Sequence, residues 1–463
     1  MSNIWILTEE KPKISVIEQL LEIYRADFNV DFVSERELAI RPIINGNTFI
    51  FRYQVDGICV VDTENIFIEI VSGKSSFFDY MFYVQDSRPL EDCENNLLFV
   101  VEETKTNDQE SRNQVYQRLL KFAYIDAYYP DTPRYMLYNN EIQFCENRRP
   151  TCTNRFGINM LLTNGVRIVG RQLNPWFRAF ESIEELIEFK NQITPHAGNE
   201  PILIQQIDDN RITISGRLDK SGHIGQLAYD PNMGALAYIA YTLRQFDWQG
   251  EIVIVNHHVN QRFVNNDSQN KFLSICHMFN ITLDGITMPT NYALPDSYWH
   301  YERQSEKIAS ILFHVTCECI GLREVFQNHA GCEKGYFLTS NNDLISLPKN
   351  RFKIPDVVLR DDTNRVVYLI EGKRLSTLNE GLRVLNAFDD IETLYINRYY
   401  PRYAVRRYLT IFGGTRDSLP HERVLFYLNN DGLIVLNDNA ESSLTERIQN
   451  YFNVSNIFFS LFL

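Results

Sequence analysis

The segment KIPDVVLRDDTNRVVYLIEGK, residues 353–373, contains two apolar runs joined by a polar turn. The run VVL follows Pro355-Asp356, the residues DDTNR reverse the chain, and VVYLI leads into Glu371 and Lys373. Side chains two residues apart in a strand point to the same face, so Glu371 and Lys373 lie side by side. A hairpin of this length also brings Asp356 next to Glu371. The sequence therefore predicts two antiparallel strands with three charged groups at one end.

These three charged groups predict a metal-dependent hydrolase. Two neighbouring carboxylates, here Asp356 and Glu371, repel each other unless a cation lies between them, and Mg²⁺ prefers such oxygen ligands. A bound cation stabilises charge on a phosphoryl oxygen and lowers the pKa of its water, while Lys373 orients that water or offsets the developing charge. Phosphodiester hydrolysis is the chemistry that needs this set. The alternative is a surface hairpin with an ordinary ion pair between Glu371 and Lys373.

Pro355-Asp356 followed by Glu371-Gly372-Lys373 resembles the PD-(D/E)xK motif of restriction-type endonucleases. The resemblance covers residues 353–373 and beyond them only the general order of helices and strands. It implies an α/β fold with restriction-endonuclease-like mixed sheets flanked by helices. It also implies Mg²⁺ as the cofactor, double-stranded DNA as the substrate, and Asp356, Glu371 and Lys373 as catalytic residues.

A second half of the same motif occurs near the N-terminus. Glu103 and Lys105 follow the apolar run LLFVV, again two residues apart at the end of a strand. Asp56, in the turn VDG, is the choice for the first acid, with Asp62 and Glu69 as competitors. Asp56 and Glu103 are accordingly predicted to hold a second Mg²⁺, with Lys105 as the catalytic lysine. No proline precedes Asp56, and its distance from Glu103 along the chain departs from the compact pattern.

Two segments are candidates for DNA contact. The first is a predicted helix behind the N-terminal half-motif, SRNQVYQRLLKF, in which two glutamines and an arginine lie on roughly one side. The second is RYYPRYAVRRY, residues 398–408, in which arginines alternate with tyrosines. Contacts that do not depend on base sequence are mostly made by Lys and Arg to phosphates. The alternative in both segments is an ordinary solvated helix. The predicted DNA-binding residues are Gln114, Gln117, Arg118, Arg398, Arg402, Arg406 and Arg407.

Restriction-type nucleases often carry a further acid on the helix before the hairpin. Glu18 or Glu22 is the candidate for the first site, and Glu324 or Glu333 for the C-terminal site. Each of these residues is also compatible with a simple surface charge or a helix ion pair.

The order of the segments predicts three consecutive α/β domains. The first, residues 1–195, is nuclease-like and contains a helix near 14–24 and a meander at 47–72 in which Asp56-Gly57 is a turn. Residues 196–297 form a smaller α/β domain. Residues 298–463 form the PD-(D/E)xK domain, for which the sequence predicts a strand over TLYIN and a helix near Ala404.

Composition excludes several classes of protein. The chain has 463 residues with 45 basic and 59 acidic side chains, a net charge of -14, which excludes a uniformly basic nucleic-acid coat protein. A hydrophobic fraction of 44% is ample for packed cores. The sequence contains no apolar run long enough to span a bilayer, no GxxxxGK[ST] loop and no GxSxG elbow. A cytoplasmic protein without membrane association is expected.

The leading interpretation is a Mg²⁺-dependent, site-specific type II restriction deoxyribonuclease. Two sites in one chain would let a monomer cut both strands of duplex DNA. In the alternative, one nuclease domain is active, the other serves DNA recognition, and the protein acts as a homodimer. A catalytically inactive DNA-binding protein is a further alternative.

Overall fold

Helices and strands alternate along the chain, which confirms the predicted α/β class with mixed sheets flanked by helices. The computed structural model defines the strands and helices named below and does not describe every residue. The described residues are 2–73, 77–92, 96–104, 114–138, 152–170, 175–193, 202–216, 231–256, 271–288, 296–302, 305–329, 334–348, 351–414 and 421–459.

The strands are numbered in chain order. They are β1 (Ser2–Thr8), β2 (Phe32–Asn45), β3 (Thr48–Val60), β4 (Thr63–Gly73), β5 (Tyr80–Gln85), β6 (Leu97–Thr104), β7 (Arg134–Tyr138), β8 (Arg167–Val169), β9 (Leu203–Asp208), β10 (Arg211–Gly216), β11 (Glu251–Asn256), β12 (Ile281–Leu283), β13 (Trp299–Tyr301), β14 (Arg323–Gln327), β15 (Lys334–Leu338), β16 (Leu344–Pro348), β17 (Val357–Asp361), β18 (Val366–Arg374), β19 (Ala404–Phe412), β20 (Val424–Leu428) and β21 (Ile434–Leu436).

The longer helices are numbered in the same way, and short helical segments at 125–127, 375–377 and 389–399 carry no label. In the described part of the chain, no helix is both long and apolar enough to cross a bilayer. The helices are α1 (Ile14–Phe28), α2 (Gln114–Tyr124), α3 (Cys152–Thr163), α4 (Ile183–Asn191), α5 (Pro231–Gln245), α6 (Lys271–Met278), α7 (Glu306–Cys319), α8 (Leu378–Asn386) and α9 (Ser442–Phe459).

The chain divides into two compact units that are not consecutive in sequence. Unit 1 consists of Met1–Ser72, Val84–Arg88 and Tyr301–Leu463, and unit 2 of Gly73–Tyr83 and Pro89–His300. These boundaries differ from the three consecutive domains predicted from the sequence. The difference arises because the N-terminal strands pack with the C-terminal α/β region, a long-range association that local patterns do not contain.

Unit 1 is built on two sheets. One contains strands in the order β2-β3-β4-β1, with β1 and β4 parallel, and the other is six-stranded in the order β14-β17-β18-β19-β20-β21. In the second sheet β17 and β18 form the predicted hairpin, and β19 returns parallel to β18 after α8. Helix α7 packs against β18, β19 and β2, and its residues from Ile308 to Cys317 are all buried. Burial on all sides explains why this helix is apolar around its circumference.

Unit 2 also contains two groups of strands. In one, β5 pairs antiparallel with β6, and β7 and β8 follow in parallel, with α2 in the connection from β6 to β7. The other is a four-stranded sheet in the order β12-β11-β10-β9, in which only β9 runs antiparallel to its neighbour. Antiparallel hairpins followed by parallel crossovers therefore occur in both units.

Two segments differ from the sequence-based predictions. TLYIN lies in a helical segment, and the region from Ala404 forms β19 rather than a helix. The residues YLTIF are all buried, as in a central strand. A strand buried on both faces lacks the alternation of apolar and polar residues by which a strand is recognised in a sequence. Asp56-Gly57 is not a turn, because β3 continues through it. Gly57 has φ of 99° where the partner strand bulges, and a Cβ at Gly57 would lie 2.6 Å from the carbonyl oxygen of Glu37.

Candidate metal centre

Asp356 is fixed at the beginning of β17 by hydrogen bonds on both sides. Its backbone carbonyl accepts from the amide of Asn328 at 2.7 Å, and its side-chain Oδ2 accepts from the amide of Gly372 at 2.7 Å. Val357 pairs with Ile370 in the antiparallel ladder, so Asp356 and Glu371 are the next residues along the two strands. The hairpin thus brings these two acids together, as the sequence predicted.

Glu371 and Lys373 project from the same face of β18. The ammonium Nζ of Lys373 donates to Oε1 of Glu371 at 2.7 Å. Glu371 is only 7% exposed. Its second oxygen, Oε2, is buried and has no hydrogen-bond partner in the described part of the chain. A buried carboxylate oxygen without a partner carries a desolvation cost, and a bound cation would remove that cost.

The electrostatics of the pair favour a cation. Burial and the neighbouring charge of Glu371 raise the pKa of Asp356 to about 8. Burial also raises the pKa of Glu371, although Lys373 opposes that change. One lysine therefore does not balance both carboxylates, and a divalent ion would supply the missing positive charge.

A third acid, Glu306, stands beside this centre at the first turn of α7. Its charge contributes to the raised pKa of Asp356, and its Oε2 lies 3.2 Å from the Nε of Arg374. The sequence instead predicts Glu324 or Glu333 for this position. Glu324 belongs to a different cluster, described below, and Glu333 lies outside the described residues. The start of α7 at Ser305 was a signal for Glu306, since acids are favoured in the first turn of a helix.

The stem of Lys373 is packed under α8 at Gly381. A Cβ at Gly381 would lie 2.8 Å from Cγ of Lys373 and 3.1 Å from the methyl groups of Leu409. A glycine at this point of α8 therefore lets the helix approach the lysine closely enough to limit its movement.

Substituting Gly381→Ala should displace the Lys373 stem while leaving both carboxylates in place. For the phosphodiester hydrolysis proposed below, we expect the rate to fall by about 100-fold, as for small misplacements of catalytic groups, with the affinity of the proposed cation site nearly unchanged. Comparing kcat with the calorimetric affinity for Ca²⁺ separates these effects. The control is Glu380→Ala, because the neighbouring Glu380 is exposed on the same helix. Equal losses of affinity and activity in Gly381→Ala would contradict the expectation.

A second charged cluster in unit 1 is formed by Lys11, His314, Glu318 and Glu324. The donor atoms of the histidine and the two glutamates lie within 4.8 Å of one another, a spacing that suits a metal ion. Lys11, however, already occupies the centre, with its Nζ 3.0 Å from Glu318 and 3.2 Å from Glu324. Its ammonium therefore balances these carboxylates. Glu318 on α7 and Glu324 on β14 also do not share the hairpin arrangement of Asp356 and Glu371, so the cluster is described as an ion-pair network around the buried Lys11.

The N-terminal half-motif is arranged differently from its prediction. Asp56 lies on β3 in unit 1, 2.9 Å from Nε of Arg41, whereas Glu103 lies in unit 2. Lys105 lies outside the described residues. The acid that contacts this strand end is Asp79, whose Oδ2 accepts from the amide of Glu103 at 2.7 Å. Asp79 is not among the predicted site residues because it stands before a strand, β5, that is not among the predicted strands.

Two of the predicted DNA-binding arginines, Arg406 and Arg407, lie on opposite faces of their strand and contact acidic residues. Because Arg406 and Arg407 are successive residues of β19, they point to opposite faces: Arg407 pairs with Asp389 and Glu392, and Arg406 lies 3.6 Å from Glu441. Arg398 and Arg402 are exposed. Arg118 lies 3.1 Å from Glu102, and the side chains of Gln114 and Gln117 lie outside the described part of the structure.

Comparison with known proteins identifies no relative. No family model, no curated protein and no solved structure matches this chain.

Proposed function

We propose that the chain is a Mg²⁺-dependent endonuclease that hydrolyses phosphodiester bonds of double-stranded DNA at a site made of Asp356, Glu371 and Lys373. The observation that carries the proposal is the buried Oε2 of Glu371, which makes no hydrogen bond with the described residues although it stands beside a second acid, Asp356, on the neighbouring strand. A second carboxylate at this place suits a divalent cation better than a structural ion pair.

The residues present fit a Mg²⁺ ion. Mg²⁺ is commonly held by one or two carboxylates and keeps several waters, and Asp356 and Glu371 supply the two carboxylates. When bound, the ion would lower the pKa of a coordinated water and stabilise charge on the phosphoryl oxygens. The fit depends on Oε2 of Glu371, because Lys373 donates only to Oε1.

Lys373 has a separate role from the carboxylates. Its Nζ lies 2.7 Å from Glu371, so its charge is held at the edge of the cation site. The neighbouring acid Glu371 keeps the pKa of Lys373 above its usual value even though burial opposes this, and the lysine therefore stays protonated. A fixed ammonium here would offset the negative charge that develops on the phosphate and orient the attacking water.

The nature of the substrate is proposed from the motif, and its test is direct. Purified protein is incubated with supercoiled plasmid, single-stranded DNA or RNA, with Mg²⁺ or with EDTA. We expect plasmid nicking or linearisation with Mg²⁺ only, at defined positions after end mapping. Binding to DNA without cleavage under any divalent cation would overturn the proposal in favour of an inactive DNA-binding protein, and cleavage confined to RNA would overturn the proposed substrate.

Cation binding should release a proton. Because the pKa of Asp356 is raised to about 8 in the cation-free protein, this acid is largely protonated near pH 7 and must ionise to bind a metal. The affinity for Ca²⁺ should therefore increase as pH rises, by up to about tenfold per pH unit below pH 8. Calorimetry in two buffers of different ionisation enthalpy measures the number of protons released on Ca²⁺ binding. A pH-independent affinity with no proton released would show that Asp356 is already ionised.

A further inference from the structure

Unit 2 repeats the arrangement of elements that forms the metal centre of unit 1. Asp79 immediately precedes β5, β5 pairs antiparallel with β6, and β6 continues through α2 into the parallel strand β7. In unit 1, Asp356 precedes β17, β17 pairs antiparallel with β18, and β18 continues through α8 into the parallel strand β19. The two units therefore place an aspartate at the same point of the same hairpin.

The strand register identifies which residues correspond. Tyr80 pairs with Val101, so Asp79 stands opposite Glu102, as Asp356 stands opposite Glu371. The amide that follows the glutamate donates to Oδ2 of the aspartate in both units, at 2.7 Å from Glu103 and at 2.7 Å from Gly372. Glu102, rather than Glu103, is thus the counterpart of Glu371.

The counterpart of Lys373 on the strand is Thr104, which carries no charge, but a lysine reaches the same carboxylate from the crossover helix. Nζ of Lys121 on α2 lies 2.8 and 2.7 Å from the two oxygens of Glu102 and 3.9 Å from Oδ1 of Asp79. The unit therefore contains an aspartate, a glutamate and a lysine in contact, with the lysine supplied by a helix instead of a strand.

We propose that Asp79, Glu102 and Lys121 form a second divalent-cation and phosphodiester-cleavage site, in which Lys121 takes the role of Lys373. The inference rests on the function proposed for the first site. Its support is the agreement of topology, register and amide hydrogen bond between the two units, which is independent of the charges themselves.

The second site should bind cations more weakly than the first. Arg118 lies 3.1 Å from Glu102 and adds a positive charge to the cluster, whereas Arg374 beside the first site is paired with Glu306. Lys121 must also release one of its two contacts with Glu102 before that oxygen can bind a metal.

Calorimetry of the full chain with Ca²⁺ tests the site without relying on activity. We expect wild type to bind two Ca²⁺ per chain with different affinities. Glu102→Gln should lose the weaker binding event, and Glu371→Gln should lose the tighter one. The control is Asp126→Asn, since Asp126 is an ion-paired carboxylate of the same unit, 2.9 Å from Arg134, and should leave both. A wild-type stoichiometry of one that Glu102→Gln does not change overturns the second site. A stoichiometry that Glu371→Gln does not change overturns the function proposed for the first.

Relocating the lysine tests its role. In a Glu371→Gln background, where only the second site remains, Lys121→Ala should reduce Mg²⁺-dependent plasmid nicking by about 100-fold. Adding Thr104→Lys should recover at least a tenth of that activity, because it returns a lysine to the strand position held by Lys373. No nicking in the Glu371→Gln background, or no recovery on adding Thr104→Lys to a folded Lys121→Ala variant, overturns the assignment.

Discussion

Replacing Glu371 by glutamine should abolish the cation affinity of the unit 1 site and the cleavage that depends on it. The amide keeps the shape of the side chain but removes the charge of a proposed metal ligand. Loss of even an outer partner of a metal ligand typically costs about 10–100-fold in affinity, so losing the ligand itself should cost more than about 100-fold. Calorimetry with Ca²⁺ measures the affinity, and single-turnover cleavage of a mapped duplex site measures the chemistry.

Although Glu371→Gln should lose cation affinity, the same substitution should stabilise the cation-free protein. In the cation-free protein the pKa of Asp356 lies at about 8, above its unfolded value of 3.8, so folding is less favourable as pH rises through this window. Because Glu371 contributes to that shift, Glu371→Gln should melt at a higher temperature than wild type at pH 8 without metal. Ca²⁺ binding at this site should raise the melting temperature of wild type, and this increase should be absent in Glu371→Gln. A variant less stable than wild type without metal would show that Glu371 is a structural residue.

Replacing Lys11 by alanine should destabilise unit 1 by up to about 3–5 kcal/mol, because the substitution leaves two partly buried carboxylates without their buried partner. Lys11 is 3% exposed and contacts both Glu318 and Glu324. Burial alone would lower the pKa of Lys11, but these two acids raise it, so the lysine is charged. Urea denaturation at pH 7 measures the loss of free energy of unfolding.

Two controls distinguish the stability loss caused by disrupting the ion-pair network from the loss that any truncation of a long basic side chain would cause. Arg25→Ala removes an exposed ion pair with Glu22 and should cost less than about 0.5 kcal/mol. Adding Glu318→Gln and Glu324→Gln to Lys11→Met should recover part of the loss, since no uncompensated charge remains. If Lys11→Ala were no worse than Arg25→Ala, the cluster would not contribute to stability.

The pH dependence of this network follows from Glu318. Burial would raise the pKa of Glu318, but Lys11 and His314 lower it to about 2, below its unfolded value of 4.5. The stabilisation is therefore complete above about pH 4.5 and is lost as pH falls toward 2. Wild type should lose stability across this range more steeply than the Lys11→Met variant that also carries Glu318→Gln and Glu324→Gln.

The C-terminal hairpin was predictable because its information is local. Two apolar runs joined by a polar turn, in which side chains two residues apart share a face, place Asp356, Glu371 and Lys373 together within 18 residues of chain, and the structure has the same register. The helical segment at TLYIN and the strand β19 were not predictable. Both segments are apolar, and only their packing in unit 1 decides which of them joins the sheet.

The N-terminal site shows the opposite case. The sequence indicates an acid and a lysine at Glu103 and Lys105, but a strand pattern does not show which aspartate lies opposite. Register between β5 and β6 decides that Asp79 and Glu102 meet, and the crossover through α2 decides that Lys121 joins them. These contacts depend on how separate segments pair, which a single sequence does not specify.

The sequence by itself determined the α/β class and the first charged hairpin, because side-chain periodicity and turn chemistry act over a few residues. Only the tertiary structure decided that residues 1–72 belong with the C-terminal region and that Glu306 lies beside Asp356. It also decided that the proposed second site combines residues from a strand, a preceding loop and a helix. Sheet register and helix packing bring these groups together, and both are fixed by burial across the whole unit.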